Sequence, residues 1–514
     1  MKVDNSTGRV NTRPSKVVAF PGPSARQPNA PAEELMAALD ASAEMRYAEF
    51  LADADDFVVG GVSESGNIDS TLYQWTGEFW AALPDKVAAA KAYRWLKTAE
   101  SGKANRNLAY ACLDTAVLEF IEREDKFLPD SRNRAIIPVR GAYLEIEKSG
   151  QVRVLPPDRK LGITYQVPAN FDMSLVADNG TYEPRPVDPN SHWGKYLDRF
   201  MPDIGVRELL QEATASSLLP MCLEKGFFLL GSGSNGKSTF LHILRALHPK
   251  NTAIRVDKLD GQFAMNSLVG KTLAIATEMP KVLTAAVQEE LKKVISWDPT
   301  EVEPKGRDPY SAVLRVSLFV ALNEWFTVSG HEHGFWRKVM AIPFNVRLEE
   351  GSKERVADFH KLITDDPAEM AQVLNWILAG AVRLIQRGGF PSELPEAVVK
   401  LAEQNRQVSD TVVAYLNDRE AVECELTQTC KKAVYSDYRE FVLTEAGKKP
   451  VAAEEFWKRV RERMPYLTFK HLTMSGEKVR TAGIFLEGVK VTRNLIAGNV
   501  HPSQAQAGVD DVPA

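Results

Sequence analysis

The sequence is poor in cysteine and has no long apolar run. Its 514 residues include four cysteines, and none of them forms a C-x-x-C pair, which excludes the ligand spacing of a zinc ribbon. So few thiols in so long a chain favour a reducing, cytoplasmic compartment. No apolar stretch reaches ~18 residues, so we expect no membrane-spanning helix, and the first residues lack the apolar segment of a signal peptide.

An excess of basic residues is also missing. The chain has 63 Lys and Arg against 68 Asp and Glu, a formal net charge of −5, which by itself argues against a nucleic-acid partner. The charge is unevenly distributed, however, because residues 431–493 contain 14 basic and 8 acidic side chains. We therefore expect any contact with nucleic acid to be confined to this segment and to local basic sites elsewhere.

Composition and periodicity divide the chain into segments. At ~150 residues per domain, the length predicts about three domains, and 44% hydrophobic with 25% charged residues is typical of globular proteins. Both ends are predicted to be disordered tails, and the Pro- and Asp-rich stretch 155–190 is predicted to be a linker. The predicted segments are 1–32, 33–190, 191–350, 351–408, 409–493 and 494–514.

Three continuous apolar runs predict strands of a buried parallel sheet. They are Lys225–Leu230, Thr272–Thr277 and Val316–Leu322, and helical patterns separate them. Alternation of strands and helices predicts an α/β domain in this part of the chain.

The first of these strands leads directly into GSGSNGKS, which matches the P-loop pattern G-x-x-x-x-G-K-[ST]. Glycines allow backbone N–H groups to surround phosphate oxygens, and the following helix contributes the positive end of its dipole. In this pattern Lys237 reaches the β- and γ-phosphates and the Ser238 hydroxyl ligates Mg²⁺. We therefore predict an ATP and Mg²⁺ site formed by Gly231, Ser232, Gly233, Ser234, Asn235, Gly236, Lys237, Ser238 and Thr239.

Polar residues follow the other two strands. Glu278 follows TLAIAT and Asn323 follows VSLFVAL, so both are expected at the carboxyl edge of the sheet, where ligands bind. Glu278 is predicted to polarise the attacking water and to order the Mg²⁺ shell, and Asn323 to contact the γ-phosphate or that water. Thr277 stands where many ATPases have an Asp, which weakens the metal site. Arg337 is predicted to be an arginine finger that acts across a subunit interface.

The series GSGSNGKSTF, LAIATEM, KKVISWDPTEVEPKGRDP, LFVALNE and GFWRKVMAIPF resembles the superfamily 3 helicases. It is most similar to the phage/plasmid primase–helicase family, which shares its architecture with poxvirus primase–helicases. The resemblance covers residues 70–490 and implies an AAA+-like P-loop ATPase core, an α+β N-terminal domain before the core, and a helical lid over 351–408. It also implies a homo-hexameric ring on single-stranded or forked DNA, with a separate primase or other replication proteins as partners.

The resemblance also assigns residues. Lys237 and Ser238 match the phosphate and Mg²⁺ residues, Glu278 the acid and Asn323 the sensor. Arg337 matches the first Arg of the family's Arg-Arg pair, whose second position is Lys338 here. Lys305, with Arg307 beside it, matches the hairpin that grips single-stranded DNA in the ring channel.

Members of this family often have a primase domain before the helicase. The sequence D-x-D at Asp53–Asp55 is the candidate for its acids, but no partner His or third acid follows at the spacing that such a site needs, and there is no zinc ligand set. We interpret these acids as a solvated helix end, and we expect a helicase portion without priming activity.

Residues 409–493 resemble a winged helix, which places a helix in the major groove of DNA. The pattern predicts helices Tyr435–Ala446 and Ala452–Met464 and a wing of two strands, 480–486 and 489–491, joined around Gly488. The predicted DNA-binding residues of this unit are Arg459, Arg461, Arg463 and Lys470. A packing module with a solvated basic face is the alternative.

The function that the sequence predicts is an ATP-dependent DNA helicase of a phage, plasmid or integrated element, acting in replication in the cytoplasm of a bacterial host. Two alternatives remain open. One is an origin-binding or loading protein that uses ATP for assembly only, and the other is a bifunctional primase–helicase.

Overall fold

The computed structural model describes residues 41–62, 68–100, 102–129, 134–305, 309–328, 333–349, 356–424, 426–444, 450–474, 477–491 and 493–494. The two predicted tails lie outside these residues, except for Asn494. The described residues form a mixed α/β fold with fourteen α-helices and several sheets, one of them parallel. The described residues divide into two compact units, the first comprising those up to Gly61 together with Ser70–Leu72 and Leu83–Phe127, and the second the remainder.

The first unit is built on three helices, which are α1 (Ala43–Asp53), α2 (Asp85–Ala99) and α3 (Arg106–Ile121). Side chains of Ser42 and Asn105 cap α1 and α3 by accepting from backbone N–H groups of their first turns, which satisfies donors that a helix leaves free. Small side chains, Ala92, Cys112 and Ala116, are fully buried between the helices. The strands of this part of the chain are β1 (Phe57–Val62), β2 (Ile68–Trp75) and β3 (Trp80–Ala82).

The second unit begins with an antiparallel sheet in sequence order, formed by β4 (Ile136–Val139), β5 (Ala142–Ile146), β6 (Val152–Leu155) and β7 (Thr181–Tyr182). The stretch 155–190 is not a free linker. Its residues Val167, Ala169 and Tyr182 are buried in the same apolar core as the parallel sheet described next, and the Tyr182 hydroxyl donates to Asn375 Oδ1 at 2.7 Å. The predicted domain limits at 190, 350 and 408 stay predictions.

The strands that follow are β8 (Gly226–Leu230), β9 (Asn251–Ala253), β10 (Leu273–Ala276), β11 (Val282–Leu283), β12 (Pro299–Val302), β13 (Tyr310–Val313), β14 (Ser317–Leu322), β15 (Thr327–Val328) and β16 (Val339–Pro343). Five of them form a parallel sheet in the order β16-β8-β14-β10-β9. The three predicted strands are thus neighbours, with β14 between β8 and β10. Their carboxyl ends share one edge, which we call the carboxyl edge.

Helices cover this sheet. They are α4 (His192–Phe200), α5 (Ile204–Leu218), α6 (Lys237–Leu247), α7 (Ala285–Ser296), α8 (His333–Lys338), α9 (Lys361–Thr364), α10 (Pro367–Arg387) and α11 (Glu396–Ser409). Strands β12 and β13 form an antiparallel hairpin. Lys305 lies exposed in its connection, while 306–308 are outside the described residues.

Helix α10 is long and apolar enough to cross a membrane by length and composition alone. Of its apolar window, 56% is buried inside the protein, and core helices pass the same test. It packs on α5, where the buried Glu212 carboxylate accepts a hydrogen bond from Arg383 Nε at 2.8 Å and pairs with Arg387. Packing in the core therefore accounts for its apolar face.

A buried histidine links three elements of this core. His248, 1% exposed, follows α6, and its ring nitrogens lie 3.0 Å from Ser217 Oγ of α5 and 3.0 Å from Thr272 Oγ1, just before β10. Both hydroxyls are neutral partners, and burial lowers the pKa of His248 from 6.5 to about 3. The folded protein therefore holds this ring neutral.

We expect His248 to make the protein acid-sensitive. Above pH 6.5 the ring is neutral in both folded and unfolded chains, and between pH 6.5 and 3 only the unfolded chain takes up the proton. Stability is thus lost as pH falls, by about 2 kcal/mol between pH 7 and pH 5. Urea unfolding at both pH values measures this, and His248→Gln should show a loss smaller by that amount. A variant whose pH dependence parallels that of the wild type would refute the assignment.

The C-terminal part of the second unit has its own core, with Tyr438 and Phe456 fully buried and Trp457 9% exposed. Its elements are α12 (Thr411–Asp418), β17 (Val422–Glu423), β18 (Thr427–Cys430), α13 (Lys431–Thr444), α14 (Ala453–Arg463), β19 (Phe469–Met474), β20 (Glu477–Ala482), β21 (Ile484–Phe485) and β22 (Arg493–Asn494). Four strands form a sheet in the order β19-β20-β18-β22.

The predicted wing is wrong in its position. The hairpin is formed by β19 and β20, paired from Phe469↔Ala482 to Met474↔Glu477, and Gly488 lies in a later turn with φ +72°. Alternation of apolar and polar residues in FKHLTM and EKVRTA is a strand pattern. The many polar side chains on the exposed hairpin obscured this pattern.

Candidate active site

The loop Gly231–Gly236 joins β8 to α6 at the carboxyl edge of the sheet. Gly233 and Gly236 have φ of +95° and +85°, which glycine adopts without strain. A Cβ on Gly236 would lie 2.7 Å from the Phe200 ring, and one on Gly231 would lie 2.4 Å from the Phe344 carbonyl oxygen. Close contacts within this fold therefore require glycine at positions 231 and 236, and the positive φ favours it at Gly233.

Contacts from distant segments hold the loop. The Tyr196 hydroxyl donates to the Gly236 carbonyl at 3.0 Å, and the Asn235 side chain donates to the Phe344 carbonyl at 3.2 Å. The Leu348 N–H donates to the Ser234 carbonyl at 2.9 Å. Because loop carbonyls are bound from outside, the conformation of the loop is set before any ligand arrives.

Lys237 is the central cation of this site. Its side chain is buried, and its ammonium donates to the Gly231 carbonyl, to Asn235 Oδ1 at 3.2 Å and to Asn323 Oδ1 at 3.5 Å. Burial lowers its pKa from the ordinary value. All three acceptors are neutral, and within the described chain no carboxylate lies within ion-pair distance of this ammonium. A buried cation held by neutral oxygens favours an anionic ligand.

The two residues predicted beside the loop lie along the same edge. Asn323 follows β14 and contacts Lys237 directly, while Glu278 follows β10, one strand further from the loop. Side chains of Glu278, Asn323, Thr277 and Ser238 are exposed. Parallel pairing thus brings together residues 40 and more positions apart in the sequence.

Metal ligands are sparse at this edge. The described part of the chain has no group of three or more His, Cys, Asp or Glu side chains arranged for a metal ion. Ser238, in the first turn of α6, and Glu278 are the oxygen donors predicted to hold a metal ion there. This set suits a cation such as Mg²⁺, which takes few protein ligands and completes its shell with water and phosphate oxygens.

Arg337 lies at the other edge of the sheet. Helix α8 runs directly into β16, so Arg337 is at the amino end of that strand, where its carbonyl accepts a hydrogen bond from Lys225 Nζ at 2.6 Å. Five residues of β16 separate this end from the loop, roughly 16 Å of strand. Arg337 therefore does not reach the Lys237 site of its own chain.

Arg337 and Lys338 differ in their surroundings. The Lys338 ammonium lies 2.7 Å from Glu224 Oε2 and also donates to Ser296 Oγ, and its side chain is 12% exposed. Arg337 is exposed, and its guanidinium makes no hydrogen bond with the described residues. Of the two, Arg337 is the one available to another molecule.

The side chains predicted to bind DNA differ in their exposure to solvent and in their ion pairs. Lys305, Arg461, Arg463 and Lys470 are exposed, and Arg307 lies outside the described residues. Arg459 is directed inward instead, with Nε 2.9 Å from Glu455 Oε1 and one terminal nitrogen 3.4 Å from Asp410 Oδ1. These two ion pairs argue against a DNA contact by Arg459.

Sequence reasoning missed the side chains that support the loop. Tyr196, Phe200 and Phe344 contact it from positions more than thirty residues before or a hundred after it. No local pattern marks such residues, because only the packing of α4 and β16 beside the loop brings them there.

A family model described as a family of unknown function, DUF5906, matches residues 229–337. This range includes the loop, Glu278, Asn323 and Arg337. No curated protein matches the chain.

Among solved structures, the chain is similar to an A form apo structure of the NrS-1 C-terminal region, with TM-score 0.38 and 13% identity over 68% of this chain and 95% of that chain. It is similar also to an apo structure of residues 305–718 of NrS-1, with TM-score 0.39 and 12% identity over the same shares. Neither likeness assigns an activity.

Proposed function

We propose that the chain is an ATP-dependent DNA helicase of a phage, plasmid or integrated mobile element, with an AAA+-like P-loop core. The observation that carries this proposal is the buried Lys237 ammonium, held by neutral oxygens at the start of α6 and in contact with Asn323. Backbone N–H groups of the loop and the helix N-terminus give such a cation the surroundings that bind phosphates. ATP fits this set of donors.

Each residue at the carboxyl edge then has a role. Lys237 would bind the β- and γ-phosphates, and Asn323, already in contact with it, would orient the γ-phosphate or the attacking water. Ser238 and Glu278 would hold Mg²⁺, with Glu278 acting through water because it lies one strand away. Mg²⁺ would supply charge neutralisation of the phosphates.

Arg337 supports an assembly in which subunits share their active sites. It lies at the amino edge of the sheet and is exposed, so it would complete the site of a neighbouring subunit and stabilise transition-state charge there. A closed homo-hexameric ring satisfies this head-to-tail contact for every subunit. Hairpins β12–β13 would then present Lys305 to single-stranded or forked DNA in the channel.

The remaining parts of the proposal concern context. Residues 351–408 would be the helical lid and 409–493 a winged-helix unit, and the protein would act in replication in the bacterial cytoplasm with a separate primase or other replication proteins. The Asp53–Asp55 acids do not favour priming, because Lys126 Nζ contacts Asp55 at 3.4 Å and the Ala52 carbonyl at 2.9 Å. Contacts of this kind are typical of acidic residues at the end of a helix.

One observation favours a second candidate, an origin-binding or loading protein that uses ATP only for assembly. Thr277 directly follows β10, where many ATPases have an Asp, and Glu278 is the sole acid that follows β10 within three residues. A site with so little carboxylate can bind nucleotide and turn it over slowly.

ATP hydrolysis by the full chain, with and without single-stranded DNA, tests the proposal. We expect DNA to stimulate turnover and the enzyme to unwind a forked duplex, with rings visible by electron microscopy. Nucleotide-dependent rings without turnover would establish the assembly-only alternative. Oligonucleotide synthesis on a single-stranded template would establish a primase–helicase, and a chain that binds no nucleotide would overturn the site itself.

A further inference from the structure

The C-terminal part of the second unit has a basic cluster around two aromatic rings. Its members are Lys431 at the start of α13, Arg461 of α14 and Arg480 of β20, placed around Trp457 and Phe469. We propose that these three cations, here called the cation cluster, bind phosphates of a nucleic-acid backbone. The proposal rests on the proposed action on DNA and adds Lys431 and Arg480, which the sequence did not indicate.

The aromatic rings hold two of the cations in place. Lys431 Nζ lies 4.6 Å from the centre of the Trp457 ring and 4.3 Å from that of Phe469. The Arg461 guanidinium carbon lies 4.4 Å from the centre of the Phe469 ring. Cations attract the faces of aromatic rings, so these long side chains are positioned before a ligand binds.

Strand register places the third cation beside them. Thr429 pairs with Ala482 and Cys430 with Thr481, and Lys431 follows Cys430 as the first residue of α13, just beyond the paired residues and near Arg480. Arg480 pairs with His471 of β19, on the face that also carries Phe469. The charge of Arg480 acts on the Lys431 ammonium, and like charges so placed repel one another.

No acid compensates this repulsion. In the part of the chain that the structure describes, none of the three cations forms an ion pair with a carboxylate. Burial, and then the charges of Arg461 and Arg480, lower the pKa of the Lys431 ammonium. Cations that repel one another and lack acidic partners are stabilised when an anion binds between them.

The two faces of the hairpin differ. Alternation along β19 and β20 puts Phe469 and His471 on the face of the cation cluster and Lys470, paired with Thr481, on the other. Arg439 is exposed on α13, eight residues or roughly 12 Å along the helix from Lys431, and has no predicted contact with DNA, so it is a matched control of the same charge.

Nucleic acid fits the cluster better than an acidic protein does. A protein interface needs an apolar centre, whereas here the ring faces are covered by cations and Trp457 is buried. Residues 431–493 are basic as a whole, with 14 Lys and Arg against 8 Asp and Glu. Because the rings are covered, we expect phosphate contacts without base stacking, and therefore little sequence preference.

The test is the salt dependence of DNA binding by the full chain in the absence of nucleotide. Affinity for labelled duplex and single-stranded DNA of mixed sequence would be measured at several salt concentrations for Lys431→Gln, Arg461→Gln, Arg480→Gln and the control Arg439→Gln. Each lost phosphate contact should reduce the slope of log K against log salt by about 0.9 on duplex or 0.7 on single strands. The larger change shows which form of DNA occupies the cluster.

We expect reduced slopes for the three cluster variants, an unchanged slope for Arg439→Gln, and recovery of the slope in Arg480→Lys, whose charge is retained. Unchanged slopes in the cluster variants, or an equal change in Arg439→Gln, would overturn the proposal. Loss of binding to polyglutamate with an unchanged DNA slope would overturn it in favour of an acidic protein. The DNA-binding test is carried out without nucleotide, so it does not depend on ATP hydrolysis. If the wild-type chain hydrolysed no ATP, the proposed helicase activity would be refuted, but the test of the cation cluster would remain valid.

Discussion

Lys237→Ala is expected to reduce DNA-stimulated ATP hydrolysis by about 100-fold or more, the magnitude typical of losing one charge-stabilising donor in a closed site. The ammonium is the cation closest to Asn323, and neutral oxygens alone surround it. Removing it leaves the loop without the charge that stabilises the transferring phosphoryl group. Steady-state phosphate release with saturating single-stranded DNA measures the effect.

A second lysine provides the control for this experiment. Lys250 is half-buried and lies in the same domain, but it precedes β9 and so belongs to the amino edge of the sheet. Lys250→Ala should hydrolyse ATP at the wild-type rate. Hydrolysis at the normal rate by Lys237→Ala, in a variant whose thermal unfolding is unchanged, would mean that the active site lies elsewhere.

Arg337→Ala is expected to lower turnover by about 1,000-fold, as the loss of an arginine finger does, while the variant still binds nucleotide. The guanidinium is exposed at the edge of the sheet opposite to the loop, so it stabilises charge in the transition state of a neighbouring site without holding the ground state of its own. Turnover and binding of a fluorescent nucleotide, measured on the same preparation, separate the two effects.

Mixing experiments distinguish a shared site from a site within one chain. Lys237→Ala and Arg337→Ala are each inactive, but a mixed ring contains interfaces where an intact loop meets an intact Arg337, so mixing should restore part of the activity. Lys338→Ala serves as the neighbouring control, because its ammonium is bound to Glu224 of its own chain and turnover should change little. A mixture that remains as inactive as its components would contradict action across an interface.

Sequence reasoning located those parts of the protein whose structure depends on residues close to one another in the sequence. A continuous apolar run predicts a buried strand wherever it occurs, and GFFLL forms β8 as expected. The glycines and Lys237 between β8 and α6 are recognisable because a tight loop before a helix needs these residue types in this order. Asn323 was predicted at the carboxyl edge because it follows an apolar strand and comes after the loop and Glu278 in the series, and its Oδ1 lies 3.5 Å from Lys237 Nζ.

Predictions failed where a residue's position depends on segments far away in the sequence. The wing was predicted around Gly488, yet the hairpin is β19–β20, because an exposed hairpin has few apolar residues to mark it. Arg459 has the same charge and helix as Arg461, but Asp410, forty-nine positions earlier, turns it inward. Charge along a sequence does not tell which cation is already neutralised within the fold.

Backbone conformation depends mainly on neighbouring residues. The sequence alone therefore determines the loop, the strand and helix beside it, and the polar residues that follow each strand. Pairing between distant segments is not local. Pairing of β18 with β20 brings Lys431, the residue after β18, near Arg480, and the register of β19 with β20 puts Lys470 on the opposite face. The parallel sheet separates Arg337 from the loop by the length of β16. Tertiary packing therefore decides which residues of this protein can act together, while the sequence determines the chemistry of each side chain.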